Sequence, residues 1–146
     1  MGQVLFHLAF PVTDLEKAKR FYVDGLGCSL GRMSRSAITL DLKGNQLVGH
    51  LTKAQSESPQ SIYPRHFGLV FMSEEDWQAM ADRARQKGLH FYQEPRHRYP
   101  GTRLEHTTFF LEDPFHNLLE FKHYMYESAV FGEQQLPQVG DVEAGD

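Results

Sequence analysis

Two stretches of this chain are versions of one another, and that duplication restricts the possible fold more than any other feature. FHLAFPV at residues 6–12 and RHFGLVF at residues 65–71 each set a histidine, His7 or His66, inside an apolar run that reads as a strand, residues 4–11 in the first copy and 65–72 in the second. A capping residue and a helix-period segment follow each run. Thr13 or Asp14 precedes the helix that stops at Gly25 and Gly27, and Ser73 precedes the one that stops at Gly88. From His7 to Gly27 is 20 positions, and from His66 to Gly88 is 22. A unit of this size cannot bury its own sheet, so the two copies are expected to pack together. The expected fold is α+β: two βαβββ units, about residues 1–52 and 65–125, whose paired curved mixed sheets enclose a cleft.

Within the first unit, residues 30–42 read as strand, Lys43-Gly44-Asn45 as a hairpin turn, and residues 46–52 as a returning strand that carries His50. In the second, Trp77, Met80, Ala81, Ala84 and the stem of Arg85 form the buried stripe of the helix. Residues 89–93 read as strand, and residues 94–104 as a Pro/Gly-interrupted loop holding Arg98, Tyr99 and Arg103. HTTFFLEDPFHNLLEFK, residues 106–122, reads as two strands joined at Asp113-Pro114, with Asn117 suited to the left-handed conformation that leaves the turn. Residues 53–64 are polar with two prolines and read as a linker. Residues 126–146 are acidic and Gly/Gln-rich, and are expected to form a weakly ordered tail beyond a domain of residues 1–125.

The 146 residues carry a net charge of −4 with both signs interspersed, which argues against nucleic acid and anionic membranes as partners. The start lacks a basic segment followed by a long apolar one, and no apolar run approaches ~20 residues, so a soluble cytoplasmic protein is expected. One cysteine, Cys28, excludes an internal disulfide and cysteine-rich zinc sites; it has no activating neighbour and reads as packing. Eight histidines direct attention instead to nitrogen and oxygen metal ligands.

Strand alternation places Leu118, Glu120 and Lys122 on one face and Leu119 and Phe121 on the other. Glu120, opposite the apolar face, is either a solvated strand residue or one that needs a cation. His50 lies five positions after Asn45 and Glu120 three after Asn117, so the two share parity and can face one cavity. His7 and His66 hold equivalent places in their units. Two histidines and a carboxylate with open positions suit mononuclear iron(II), and also zinc, nickel or manganese. His90, His97, His116 and His123 read as surface or loop residues.

FHLAFPVTDLEKAKRFYVDGLG, followed by HFGLVF and DPFHNLLEFK, resembles the vicinal oxygen chelate superfamily. That group includes glyoxalase I, extradiol ring-cleaving dioxygenases, fosfomycin-resistance enzymes and bleomycin-binding proteins. The resemblance runs to about Tyr124, and with QLVGHL it is most similar to small bacterial proteins of the extradiol type. It implies His7, His66 and Glu120 as metal ligands, with His50 either a fourth ligand or the acid/base histidine. It further implies a divalent metal, iron(II) before zinc, nickel, cobalt or manganese, a small substrate with vicinal oxygens, and a homodimer formed through the sheets. The implied activity is a metal-dependent extradiol-type dioxygenase; the alternatives are a glyoxalase-like lyase or isomerase, or a metal-free binding protein of the resistance type. Two positions depart from the extradiol pattern. Phe110 stands where a tyrosine is usual, leaving Tyr99 or His106 to supply a donor, and His116 stands where the turn usually has glycine, at a cost of roughly 1 kcal/mol.

Overall fold

The computed structural model describes residues 2–140. Both copies of the repeat adopt the same order of elements. In the first, β1 (His7–Val12) leads to α1 (Leu15–Lys19), which Asp14 caps by accepting the Lys17 N–H at 3.0 Å. α1 continues as a π-helical turn, Arg20–Gly25, before β2 (Ser29–Met33), β3 (Ala37–Leu42) and β4 (Asn45–Leu51). In the second, β5 (Phe67–Val70) leads to α2 (Glu74–Gln86), capped by Ser73 accepting from Asp76, and then β6 (His90–Arg98), β7 (His106–Glu112) and β8 (Leu118–Tyr124). The sheets have matching orders, β1-β4-β3-β2 and β5-β8-β7-β6, and in each the first strand pairs parallel with the last.

Several local expectations are corrected. β1 starts only at His7, leaving Val4, Leu5 and Phe6 exposed, and β5 starts after His66. Residues 94–98 belong to β6 rather than to a loop. Pro95 is tolerated because β6 lies at the sheet edge and its register slips between Gln93 and Arg96, so no ladder bond requires the missing N–H. Arg98 is thereby buried. At the β7–β8 turn, His116 rather than Asn117 takes positive φ, 69°. Asn117 is tied to Asp113 by both its backbone N–H and its side chain, at 2.8 and 2.7 Å. Arg85 leaves the buried stripe and stacks its guanidinium 4.6 Å from the Phe91 ring centroid.

Both helices lie on the same side of the sheets, and one core runs through the two units. Phe10, Tyr22 and Leu40 of the first unit share it with Trp77, Phe109 and Phe121 of the second, each large side chain contributing about 1.5–3 kcal/mol. Polar ties cross the same boundary. Tyr22 donates its hydroxyl to Asp113 Oδ2 at 2.6 Å, and Arg83 Nε donates to the Gly25 carbonyl at 2.8 Å. Cys28 is buried in this core, its thiol pushed up to about 12 by burial first and by Asp41 second.

The outer faces of the two sheets differ. On the first, His7, Ala9, Pro11 and His50 are exposed and Val48 is half-buried. On the second, the residue 53–64 segment lays Ile62 over Phe110 and Leu118 in a small cluster of their own. The chain beyond β8 forms a 3₁₀ turn, Glu127–Ala129, and returns until Gly140 accepts hydrogen bonds from Arg98 at 2.9 Å and Tyr99 at 2.6 Å. Those contacts cover residues 126–140 of the segment expected to be a weakly ordered tail; its last six residues lie outside the described residues. Among the described residues, no helix is long and apolar enough to cross a membrane.

Candidate metal centre

Glu120 lies in the middle of β8, on the roofed outer face, and is buried. Its carboxylate is held at both oxygens. Oε2 accepts the Thr108 hydroxyl at 2.6 Å, while Oε1 lies 3.1 Å from His66 Nε2 and 3.7 Å from Lys122 Nζ. Thr108 reaches it because β7 and β8 pair Thr108 with Lys122 and Phe110 with Glu120, setting these side chains side by side. His66, just before β5, turns its other nitrogen to the Ile62 carbonyl at 2.7 Å. That contact takes the Nδ1 proton, so Nε2 donates to the carboxylate while the ring is protonated and is free to bind a metal once the ring is neutral. Phe110 meets the His66 ring edge-on at 5.0 Å.

The other expected residues stand elsewhere. His7 is exposed on the open face of the first sheet, with Nδ1 2.7 Å from Gln46 Oε1. His50 is on the same face, opposite Pro11. Tyr99 follows β6 with φ of 50° and donates its hydroxyl to Gly140; its ring is 6.0 Å from that of His106. Within a single copy of the chain, therefore, His66 and Glu120 come together and His7 and His50 do not join them. The strand registers also refine the position of His50. β5 sets Gly68, two residues after His66, against Glu120, whereas β1 sets Ala9, two residues after His7, against Val48. The counterpart of Glu120 in the first unit is Val48, and the counterpart of His50 is Lys122.

The glyoxalase/bleomycin resistance protein/dioxygenase superfamily model matches residues 4–121, which is most of the chain. The chain belongs to that superfamily. Among solved structures of the superfamily, a glyoxalase/bleomycin resistance protein/dioxygenase from Alicyclobacillus acidocaldarius is similar at 44% identity, with 88% of this chain and 96% of that one covered and a TM-score of 0.84. A superfamily protein from Nocardioides shares the fold at 19% identity (TM-score 0.64, coverage 96% and 91%). So does a genomically encoded fosfomycin resistance protein from Listeria monocytogenes, at 19% identity (TM-score 0.66, coverage 88% and 99%). No curated protein matches the chain.

Superfamily members include metalloenzymes, and the His66–Glu120 pair has the donor chemistry that a divalent metal takes: a neutral imidazole nitrogen and a carboxylate oxygen, each fixed by a partner behind it. The pair supplies two donors. Among the described residues of one chain, no group of three His, Cys, Asp or Glu side chains is arranged to hold a metal ion. Thr108, Lys122 and the Ile62 carbonyl are the supporting groups that the sequence analysis left without roles. Alternation along residues 106–110 would have marked Thr108, since it shares the face of His106 and Phe110.

Burial alone would raise the Glu120 pKa, but the hydrogen bond from His66, the charge of Lys122 and the bond from Thr108 outweigh it and lower the pKa. The hydrogen bond to Glu120 raises that of His66 against its own burial. A lowered carboxylate pKa gives stability that is present above its ordinary value of 4.5 and lost as pH falls. A raised histidine pKa gives stability that is full below 6.5 and lost as pH rises through the folded value. The pair should therefore stabilise the metal-free protein most between those two values and less on either side. Melting midpoints traced from about pH 4 to 9 should show this hump, and Glu120→Gln should flatten it.

Proposed function

We propose that the chain is a metal-dependent enzyme, an extradiol-type dioxygenase acting on a small substrate with vicinal oxygens. Its metal ligands would be His66 and Glu120 of one copy and His7 of a second. The observation that carries this reading is the His66–Glu120 pair, buried and oriented from behind by Ile62 and Thr108. The open face of the first sheet supports the two-copy arrangement, since His7 stands there exposed, beside exposed Ala9 and Pro11 and half-buried Val48. Val48, at the place equivalent to Glu120, supports three protein donors over the four of a glyoxalase-like site.

Iron(II) held there would supply open positions for two substrate oxygens and for dioxygen; zinc, nickel, cobalt or manganese suit the same donors. His50 shares the face of His7 and would take the substrate proton, a task suited to an imidazole. Tyr99, on releasing Gly140, would offer the hydroxyl that Phe110 lacks. A second reading, a metal-free binding protein for small molecules, is favoured by one observation: Glu120 already has His66, Thr108 and Lys122 as partners.

The test is elemental analysis of anaerobically purified, untagged protein, followed by mixing of two variants. His7→Ala and Glu120→Ala should each bind little iron alone. Mixed dimers recover one intact site, so the mixture should regain iron and oxygen uptake with catechols. Iron in both variants alone would overturn the ligand assignment. A wild type that takes no metal even on reconstitution leaves the binding protein.

A further inference from the structure

We propose that the substrate carries a carboxylate on an aromatic ring, and that Lys122 receives it in the cavity beneath residues 129–140. This rests on the enzyme reading above for what the cavity serves, but the binding itself needs no metal. The cavity, of about 330 Å³, adjoins the site on the outer face of the second sheet and falls within the range of small-ligand pockets. Its floor is aromatic. His106 stands 5.0 Å from the Tyr124 ring and 6.0 Å from the Tyr99 ring, so three rings in sequence offer a wall for a flat ligand.

Charge decides what the ligand carries. Of the charged side chains that line the cavity, Glu133 is taken by Arg103 at 3.3 Å and Ser128 at 2.5 Å. Lys122 is the cation of the floor, and its ammonium lies between Glu120, at 3.7 Å, and the Tyr124 ring, at 5.2 Å. It thus shares Oε1 of Glu120 with His66. Whatever neutralises or occupies that oxygen releases Lys122 from the carboxylate and leaves it facing the cavity, where an anion is its natural partner.

Benzoate, which cannot chelate a metal through vicinal hydroxyls, and its neutral analogue benzamide probe this in metal-free protein by calorimetry. Glu120→Gln frees Lys122 without any metal, so benzoate should bind that variant about tenfold more tightly than wild type, a gain appropriate to one charge-assisted contact. Adding Lys122→Met should remove the gain, Lys122→Arg should keep most of it, and benzamide should not distinguish the four proteins. Benzoate affinity that ignores residue 122, or benzamide that binds as benzoate does, overturns the proposal. Absence of iron in the mixing experiment would instead overturn the enzyme reading and leave this result standing.

Discussion

Glu120→Ala should lower metal affinity at least ~100-fold, the upper end of what loss of a mere supporting group produces, because it deletes a ligand. The same change should cost the metal-free fold about 1–3 kcal/mol, since it orphans the fully buried Thr108 hydroxyl and strips His66 and Lys122 of their shared anion. Glu120→Gln separates the two effects. Its amide oxygen can still accept from Thr108, so stability should fall less, while the lost charge should cost most of the metal binding. Equilibrium dialysis with iron(II) or zinc and a urea melt of each variant read both quantities. Metal bound as tightly by Glu120→Ala as by wild type would remove this carboxylate from any metal centre.

Gly68→Ala should be more damaging to the fold than any substitution at the site itself. Gly68 pairs with Glu120 across the parallel β5–β8 ladder, and a Cβ on Gly68 would lie 1.7 Å from the Glu120 carbonyl oxygen and 2.6 Å from its carbon. These are backbone atoms of a central strand, which no rotamer change can move. β5 must separate from β8, giving up the ladder that ends in Phe71 N–H to Lys122 O at 2.7 Å. A loss above ~4 kcal/mol is expected, the size reserved for a backbone clash in a core. His66 stands two residues earlier, so whatever folded protein remains should also lose the His66–Glu120 contact. A variant with wild-type melting would mean that β5 can shift without cost, and the account of this strand would fail.

The architecture was legible because it depends on patterns that the chain repeats. The first strand of each copy, the Asp14 and Ser73 caps and the β7–β8 hairpin were all readable from local chemistry, although His66 falls just outside its strand. β6 was misread where Pro95 suggested a loop, because the tolerance of proline depends on edge position, which is a property of the sheet and not of the segment. The site was legible to the level of parity and no further. His50 and Glu120 do point to the same kind of face, but register, set by pairing between distant strands, gives the place equivalent to Glu120 to Val48. Sequence symmetry likewise concealed that one outer face would be roofed and the other left open. That difference arises from residues 53–64 and 126–140, which belong to neither copy of the repeat.

The Tyr22–Asp113 hydrogen bond carries a consequence for how the molecule comes apart. Asp113 organises its own turn by accepting from Phe115 and Asn117, and the same carboxylate is the buried partner of a hydroxyl 91 positions earlier in the chain. Loosening the first helix therefore loosens the second hairpin, and the main core is shared by both repeats. The halves of the repeat should melt in a single cooperative transition, two like units that are thermodynamically inseparable.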